Sequence, residues 1–143
     1  AVAEGKPTLG ICLGMQMLME FSEEDGRHEG LGYFPGGVLR FPADAGKVPH
    51  MGWNSIQLSP ACPLMAGLPE SPYVYFVHSY RVADVSPDWT AATCAYGGTF
   101  SAAVWRGNLF GTQFHPEKSG DVGLILLRNF AALPKAQGRA AAC

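Results

Sequence analysis

Residues 8–16 read Thr8-Leu9-Gly10-Ile11-Cys12-Leu13-Gly14-Met15-Gln16, a short apolar run entering a G-x-C-x-G pentapeptide. Pro7 precedes the run, and residues 13–21 are rich in Leu, Met, Gln and Glu, all good helix formers. The pattern predicts a strand, a tight turn at Cys12 and a helix over 13–21, which together indicate an α/β fold. Flanking glycines suit a sharp turn that lifts a sulfur off the sheet edge. A following helix N-terminus favours a thiolate through its dipole, and the Leu13 N–H is placed to help hold an oxyanion. Taken alone, the pentapeptide equally suits a buried structural cysteine between packing glycines.

A second segment tips that balance. Gly111-Thr112-Gln113-Phe114-His115-Pro116-Glu117-Lys118-Ser119 puts His115 and Glu117 two residues apart at the end of a predicted strand. Residues i and i+2 of a strand share a face. Such a pair suits a base and its orienter, with Glu117 holding the imidazole of His115 and His115 exchanging a proton with Cys12.

Around these segments the pattern is mixed. Residues 22–32 read as a charged loop, and Pro35-Gly36-Gly37 as a turn ahead of a strand ending near Phe41. Residues 48–58, with Pro49 and Gly52, read as an extended or edge segment, and residues 63–67 as one helical turn. Residues 73–80 are aromatic and β-branched, a strand. Residues 100–105 and 109–114 flank Arg106-Gly107-Asn108 as a hairpin. Val122, Ile125, Leu126 and Phe130 recur near helical spacing over 121–133, stopped by Pro134. The Ala-rich residues 135–143 are expected to fray. No repeat or linker divides the chain, so residues 1–143 are expected to form a single domain.

Composition bounds the function. With 143 residues and 48% hydrophobic content, the chain can bury a core without disulfides or metals. A net charge of −2 and the lack of a basic run argue against nucleic acid or an anionic membrane as partner. No apolar stretch is long enough to span a bilayer and the first residues are unlike a signal peptide, so the expected location is cytoplasmic. Cys12, Cys62, Cys94 and Cys143 form no C-x-x-C pair and have no His at zinc-ligand spacing, so neither a disulfide framework nor a structural zinc site is expected. No metal or cofactor is expected.

Gly10-Ile11-Cys12-Leu13-Gly14-Met15-Gln16 together with Phe114-His115-Pro116-Glu117 resembles the catalytic core of class I (triad) glutamine amidotransferases. Val48-Pro49-His50-Met51-Gly52-Trp53-Asn54 and Tyr75-Phe76-Val77-His78-Ser79-Tyr80 resemble the glutaminase subunits of imidazole glycerol phosphate synthase within that superfamily. The match runs in order from about Lys6 to about Ala131. It implies a flavodoxin-like, three-layer α/β fold with a mixed sheet. It also implies a Cys12-His115-Glu117 triad that hydrolyses glutamine through a thioester. Leu13, Gly14, Gln16, Glu24, His78, Ser79 and Tyr80 match positions that meet the bound glutamine. Met51, Trp53, Asn54, Tyr75 and Lys118 match positions near a (β/α)8-barrel cyclase subunit, which takes the ammonia for histidine biosynthesis.

Family members carry further strands and helices before the nucleophile strand, among them a glycine-rich loop with a second oxyanion donor. The resemblance therefore implies a domain lacking its first strands and helices, and weak hydrolysis by these 143 residues alone. Plainer readings stand beside several assignments. Glu24 also suits a solvated loop charge, His78 a satisfied polar group at a strand end, and Trp53 and Tyr75 sheet-face aromatics. Another class I amidotransferase and a non-catalytic partner-binding remnant are the alternative functions. An activated nucleophile at Cys12 has a direct test. Limiting iodoacetamide, followed by peptide mapping, is expected to label Cys12 ahead of the other three thiols; uniform labelling of all four would argue against activation.

Overall fold

Thirteen regular segments follow one another in the computed structural model, which describes residues 2–83 and 85–134. They are β1 (Thr8–Ile11), α1 (Leu13–Gln16), β2 (Met19–Ser22), β3 (His28–Glu29), β4 (Phe34–Arg40), β5 (His50–Ser55), β6 (Gln57–Leu58), β7 (Tyr73–His78), β8 (Tyr80–Ala83), β9 (Thr90–Ala95), β10 (Thr99–Arg106), β11 (Leu109–Thr112) and α2 (Gly120–Ala131). Single 3-10 turns lie at Pro63–Met65 and Pro116–Lys118. The tail expected to fray lies outside the described residues.

The central sheet runs β1-β11-β10-β9-β6 and is mixed: β1 pairs parallel with β11, and the other pairs are antiparallel. Alternation along its strands buries side chains on both faces. Phe110, Ala103 and Phe100 face one core with Ile56, Val74, Phe76, Phe114 and Leu126, the layer formed by α2 and the β5–β7 ribbon. Leu109 and Val104 face a second core with Met15, Leu18, Met19, Phe34, Val38 and Val82. That side is covered by α1 and a four-stranded sheet in the order β3-β2-β4-β8. The result is a three-layer α/β arrangement in which strands make up much of the outer layers.

Three local expectations change. The helix expected over 13–21 stops after Gln16, and the chain turns into β2. Helix propensity differs by only tenths of a kcal/mol among such residues, whereas burying an apolar side chain is worth about 1.5–3 kcal/mol. Turning after one helical turn buries Met15, Leu18 and Met19 together against Phe34 and Val38. The Pro35-Gly36-Gly37 turn is instead strand within β4, with a register shift against β2 between Phe34 and Gly37 and Gly36 at φ 115°. Gly37 lies opposite Phe21, and a Cβ there would come within 2.2 Å of the Phe21 ring, so the glycine makes room for a cross-strand aromatic. The strand expected over 73–80 breaks at Ser79 into β7 and β8, which join different sheets.

Other readings hold. The 63–67 turn is the 3-10 turn at Pro63–Met65, and α2 matches the helix placed over 121–133. The hairpin forms with Arg106 paired to Leu109, and Gly107 takes φ 59° in the two-residue loop. β9, rich in small residues (TAATCA), carries too little aromatic or branched character to stand out in the sequence.

The two elbow glycines differ. A Cβ on Gly10 would sit 2.7 Å from both the carbonyl carbon and oxygen of Gly14, so β1 and α1 can meet only with glycine at position 10. A Cβ on Gly14 meets nothing within 4 Å. Gly10→Ala is therefore expected to destabilise the protein by about 1–3 kcal/mol through overpacking. Gly14→Ala is expected to be neutral or stabilising by up to about 1 kcal/mol. Urea denaturation midpoints of the two variants check this ordering, and equal losses would contradict it.

Candidate active site

Cys12 has φ 55° and ψ −108°, a left-handed conformation rare for a residue with a Cβ. Such strain costs about 1–3 kcal/mol and persists only where the surroundings impose it. Here β1 imposes it from one side, because the Cys12 N–H donates to the Thr112 carbonyl at 2.7 Å and extends the parallel ladder one residue past the strand. The Gln16 N–H donates to the Cys12 carbonyl at 3.2 Å and starts α1 at once. Cys12 itself carries the strained turn, not the flanking glycines.

The sulfur lies between two pulls. Burial pushes the Cys12 thiol above its ordinary value, against the Leu13 N–H and the Gln113 amide, which draw it down; the charges of Glu117 and Glu24 add to the rise. The helix-dipole help expected from a long α1 shrinks with α1 to one turn. The Gln113 side-chain amide donates to Cys12 Sγ at 3.6 Å, and the thiol reaches toward the Val77 carbonyl at 4.0 Å.

His115 and Glu117 meet as expected. His115 Nδ1 and Glu117 Oε2 are 3.0 Å apart. The geometry differs from two strand residues on one face: β11 ends at Thr112, His115 is extended, and Glu117 lies in the Pro116–Lys118 turn. Glu117 is held below its ordinary value; slight burial raises it, but the His115 ring, its own N–H and the charges of His115 and Lys118 outweigh that. Among the described residues no hydrogen bond joins His115 to Cys12, and such bonds often tighten only once substrate is bound.

Ser119 is a residue the sequence reading passed over. Its hydroxyl donates to the His115 carbonyl at 2.6 Å and accepts the Tyr75 N–H at 3.0 Å, while the His115 N–H donates to the Tyr75 carbonyl at 3.0 Å. These three bonds fasten the His115–Glu117 turn to β7. A serine just before a helix reads as an ordinary N-cap, which conceals this role.

A cleft of about 410 Å³ opens beside the elbow, lined by Leu13, Gln16, Met17, Ser22, Glu24 and His28 among others. It brings together three of the residues expected at glutamine. Gly14 lies on α1 beside it. Gln16 points inward, its amide donating to the Tyr80 carbonyl at 3.1 Å and to Gln113 Oε1 at 3.0 Å. His78 is turned away, its Nδ1 2.8 Å from the Tyr80 carbonyl and its Nε2 3.0 Å from His50 Nδ1. Ser79 forms the joint between β7 and β8, and its carbonyl accepts the Phe41 N–H.

The residues expected at a partner gather on the β5–β7 ribbon. Met51 and Trp53 share a face and are 60% and 56% exposed. Trp53 pairs with Tyr75 across the ribbon, rings 6.1 Å apart and edge-on, and Lys118 Nζ stands 5.9 Å from the Tyr75 ring. Asn54 instead faces inward to His50 Nε2 at 3.2 Å.

A family model for glutamine amidotransferase class-I matches residues 1–132. The chain belongs to the class-I glutamine amidotransferases. It is 58% identical over 137 residues to the imidazole glycerol phosphate synthase subunit HisH of Thermosynechococcus vestitus, covering 94% of this chain and 65% of that protein. It is 53% identical over 135 residues to the subunit HisH of Syntrophotalea carbinolica, covering 90% of this chain and 66% of that one. The chain thus spans slightly under two thirds of the length of these relatives. A crystal structure of a candidate GMP synthase subunit from Thermoplasma acidophilum aligns with a TM-score of 0.64 at 25% identity, over 88% of this chain and 56% of that one. The three-layer architecture is therefore that of the class-I amidotransferases.

Within this amidotransferase domain the buried His50–His78 pair has one consistent proton arrangement. The Tyr80 carbonyl can only accept, so His78 Nδ1 carries hydrogen and His78 Nε2 accepts from His50 Nδ1. His50 Nε2 then accepts from the Asn54 amide. Both rings are neutral: burial pushes His50 and His78 down to about 4, and for His78 the Tyr80 carbonyl opposes the shift while His50 adds to it. The unfolded chain binds more protons between its ordinary histidine value near 6.5 and about 4. Stability is therefore full above that window and falls as pH drops through it. Melting temperature is expected to decline from pH 7 to pH 4, and His50→Gln is expected to flatten the decline. Parallel curves for the two proteins would contradict the assignment.

Proposed function

We propose that the protein is the glutaminase subunit of an imidazole glycerol phosphate synthase, supplying ammonia to a barrel-shaped cyclase subunit. The observation that carries the catalytic half is the strained Cys12 at the end of β1, with a hydrogen-bonded His115–Glu117 pair beyond the neighbouring β11. The relatives' names support the choice of synthase.

In this reading His115 takes the Cys12 proton and Sγ attacks the side-chain amide carbon of glutamine. The tetrahedral oxyanion forms beside the Leu13 N–H. As it collapses, the carbon–nitrogen bond breaks, His115 returns its proton to the leaving nitrogen, and ammonia departs. A γ-glutamyl thioester remains. Water, losing a proton to His115, attacks that thioester; glutamate leaves and the Cys12 thiol is restored. Glu117 holds Nδ1 of His115 so that Nε2 is the working nitrogen. The acidic rim of the cleft, with Glu24, suits the α-ammonium of the amino acid.

The exposed Met51, Trp53 and Lys118, with the half-buried Tyr75, form an amphipathic patch of the kind that anchors a protein partner. It adjoins the catalytic turn, because Lys118 follows Glu117 and the Tyr75 backbone holds His115. A cyclase seated there would meet the ammonia-releasing side.

Glutamate release is the test, measured with and without the cyclase and its nucleotide substrate. Cyclase is expected to stimulate release, Cys12→Ala to reduce it to background, and Trp53→Ala to weaken the stimulation about tenfold or more. Undiminished release by Cys12→Ala would overturn the catalytic assignment. Stimulation insensitive to Trp53→Ala would overturn the docking surface.

A further inference from the structure

The fully buried Gln113 lies outside the triad and outside the residues matched to glutamine contacts, yet its amide touches the reacting sulfur. The direction of that contact is fixed by a chain of hydrogen bonds. It starts at the Tyr80 carbonyl, which can only accept and takes the Gln16 amide N–H at 3.1 Å. Gln16 therefore presents its NH2 end inward, and the same nitrogen donates to Gln113 Oε1 at 3.0 Å. With its oxygen so engaged, Gln113 turns its own NH2 toward Cys12 Sγ, 3.6 Å away. Flipping the Gln113 amide would oppose two NH2 groups at one end and set an oxygen against the sulfur at the other.

We infer that Gln113 stabilises the Cys12 thiolate by donating an amide hydrogen to it, and that Gln16 is the positioning residue that keeps this amide from flipping. The inference rests on Cys12 being the nucleophile. A donor favours the charged sulfur over the thiol, because the thiolate accepts more strongly. That is the direction needed against burial, which raises the Cys12 pKa. Position supports the same role. The Gln113 N–H donates to the Ala102 carbonyl at 2.8 Å, so its backbone is tied to β10, and the side chain is held between Gln16 and the elbow. The donor stands ready before any substrate arrives. Gln16 thus faces both ways: it lines the cleft and orders the amide behind the nucleophile.

The experiment follows iodoacetamide alkylation of Cys12 against pH, by peptide mass spectrometry, in the purified protein and in Gln113→Met and Gln16→Leu. It needs no turnover. Cys62 and Cys94, pushed up to about 11 and about 12 by burial, serve as internal slow thiols. Gln113→Met keeps length and apolar packing but removes the donor. Its alkylation midpoint is expected to rise by about one pH unit, roughly a tenfold slower reaction at pH 7. Gln16→Leu, which does not touch the sulfur, is expected to shift it the same way by less.

A Gln113→Met protein with unchanged circular dichroism and an unchanged midpoint overturns the inference. A shift in Gln113→Met with none in Gln16→Leu overturns the positioning role of Gln16. Should Gln113→Met misfold, Gln16→Leu alone decides, since an unmoved midpoint there contradicts the chain of donors. Failure of the nucleophile assignment looks different: Cys12→Ala would then keep releasing glutamate whatever the midpoints do.

Discussion

The parallel pairing of β1 with β11 is the constraint on which the site depends. Parallel strands end together, and in α/β sheets ligands gather at the carboxyl ends. Ile11 lies opposite Thr112, and the next N–H, that of Cys12, still bonds the Thr112 carbonyl. The ladder therefore delivers Cys12, Gln113 and the approach to His115 to one end of the sheet. A one-residue slip would turn the Cys12 and Gln113 side chains to opposite faces and separate sulfur from amide. Gly10 protects the register by letting β1 and α1 approach as closely as they do.

From that end a series of hydrogen-bonded polar groups leads away from the sulfur. Gln113, Gln16, the Tyr80 carbonyl, His78, His50 and Asn54 are joined by consecutive buried or part-buried hydrogen bonds. The Tyr80 carbonyl is the hub, since it accepts from both sides and so sets every donor's direction. The rings of Phe41, Phe76 and Phe100 pack around the histidines, which keeps them neutral and strengthens each bond. The chain begins at Cys12 Sγ and ends on β5, the strand whose outer face carries Met51 and Trp53.

The sequence disclosed the chemistry better than the architecture. G-x-C-x-G and His-Pro-Glu are local patterns whose meaning survives in any surroundings, and both Cys12 and the His115–Glu117 pair stand where such patterns place them. The hairpin at Gly107 and helix α2 were legible for the same reason, being set by turn chemistry and helical period. The failures were tertiary. Nothing local says that Leu18 and Met19 leave a helix to fill a core with Phe34, or that Gly37 lies under Phe21 in a strand. Nor does sequence tell that Gln16 faces inward, that His78 bonds His50 rather than a ligand, or that Ser119 clamps a turn to β7. Each of those depends on a partner distant in the chain, as far as 97 residues for Gln16 and Gln113.

The central claim is that Cys12 forms a covalent bond with the substrate during turnover. Acid-quenching the protein in the steady state with glutamine, then mapping its peptides by mass, tests this directly. One γ-glutamyl group on the peptide containing Cys12, released by hydroxylamine as a thioester would be, is the expected result. Glutamate production with Cys12 unmodified, or with the adduct on another residue, would contradict the account.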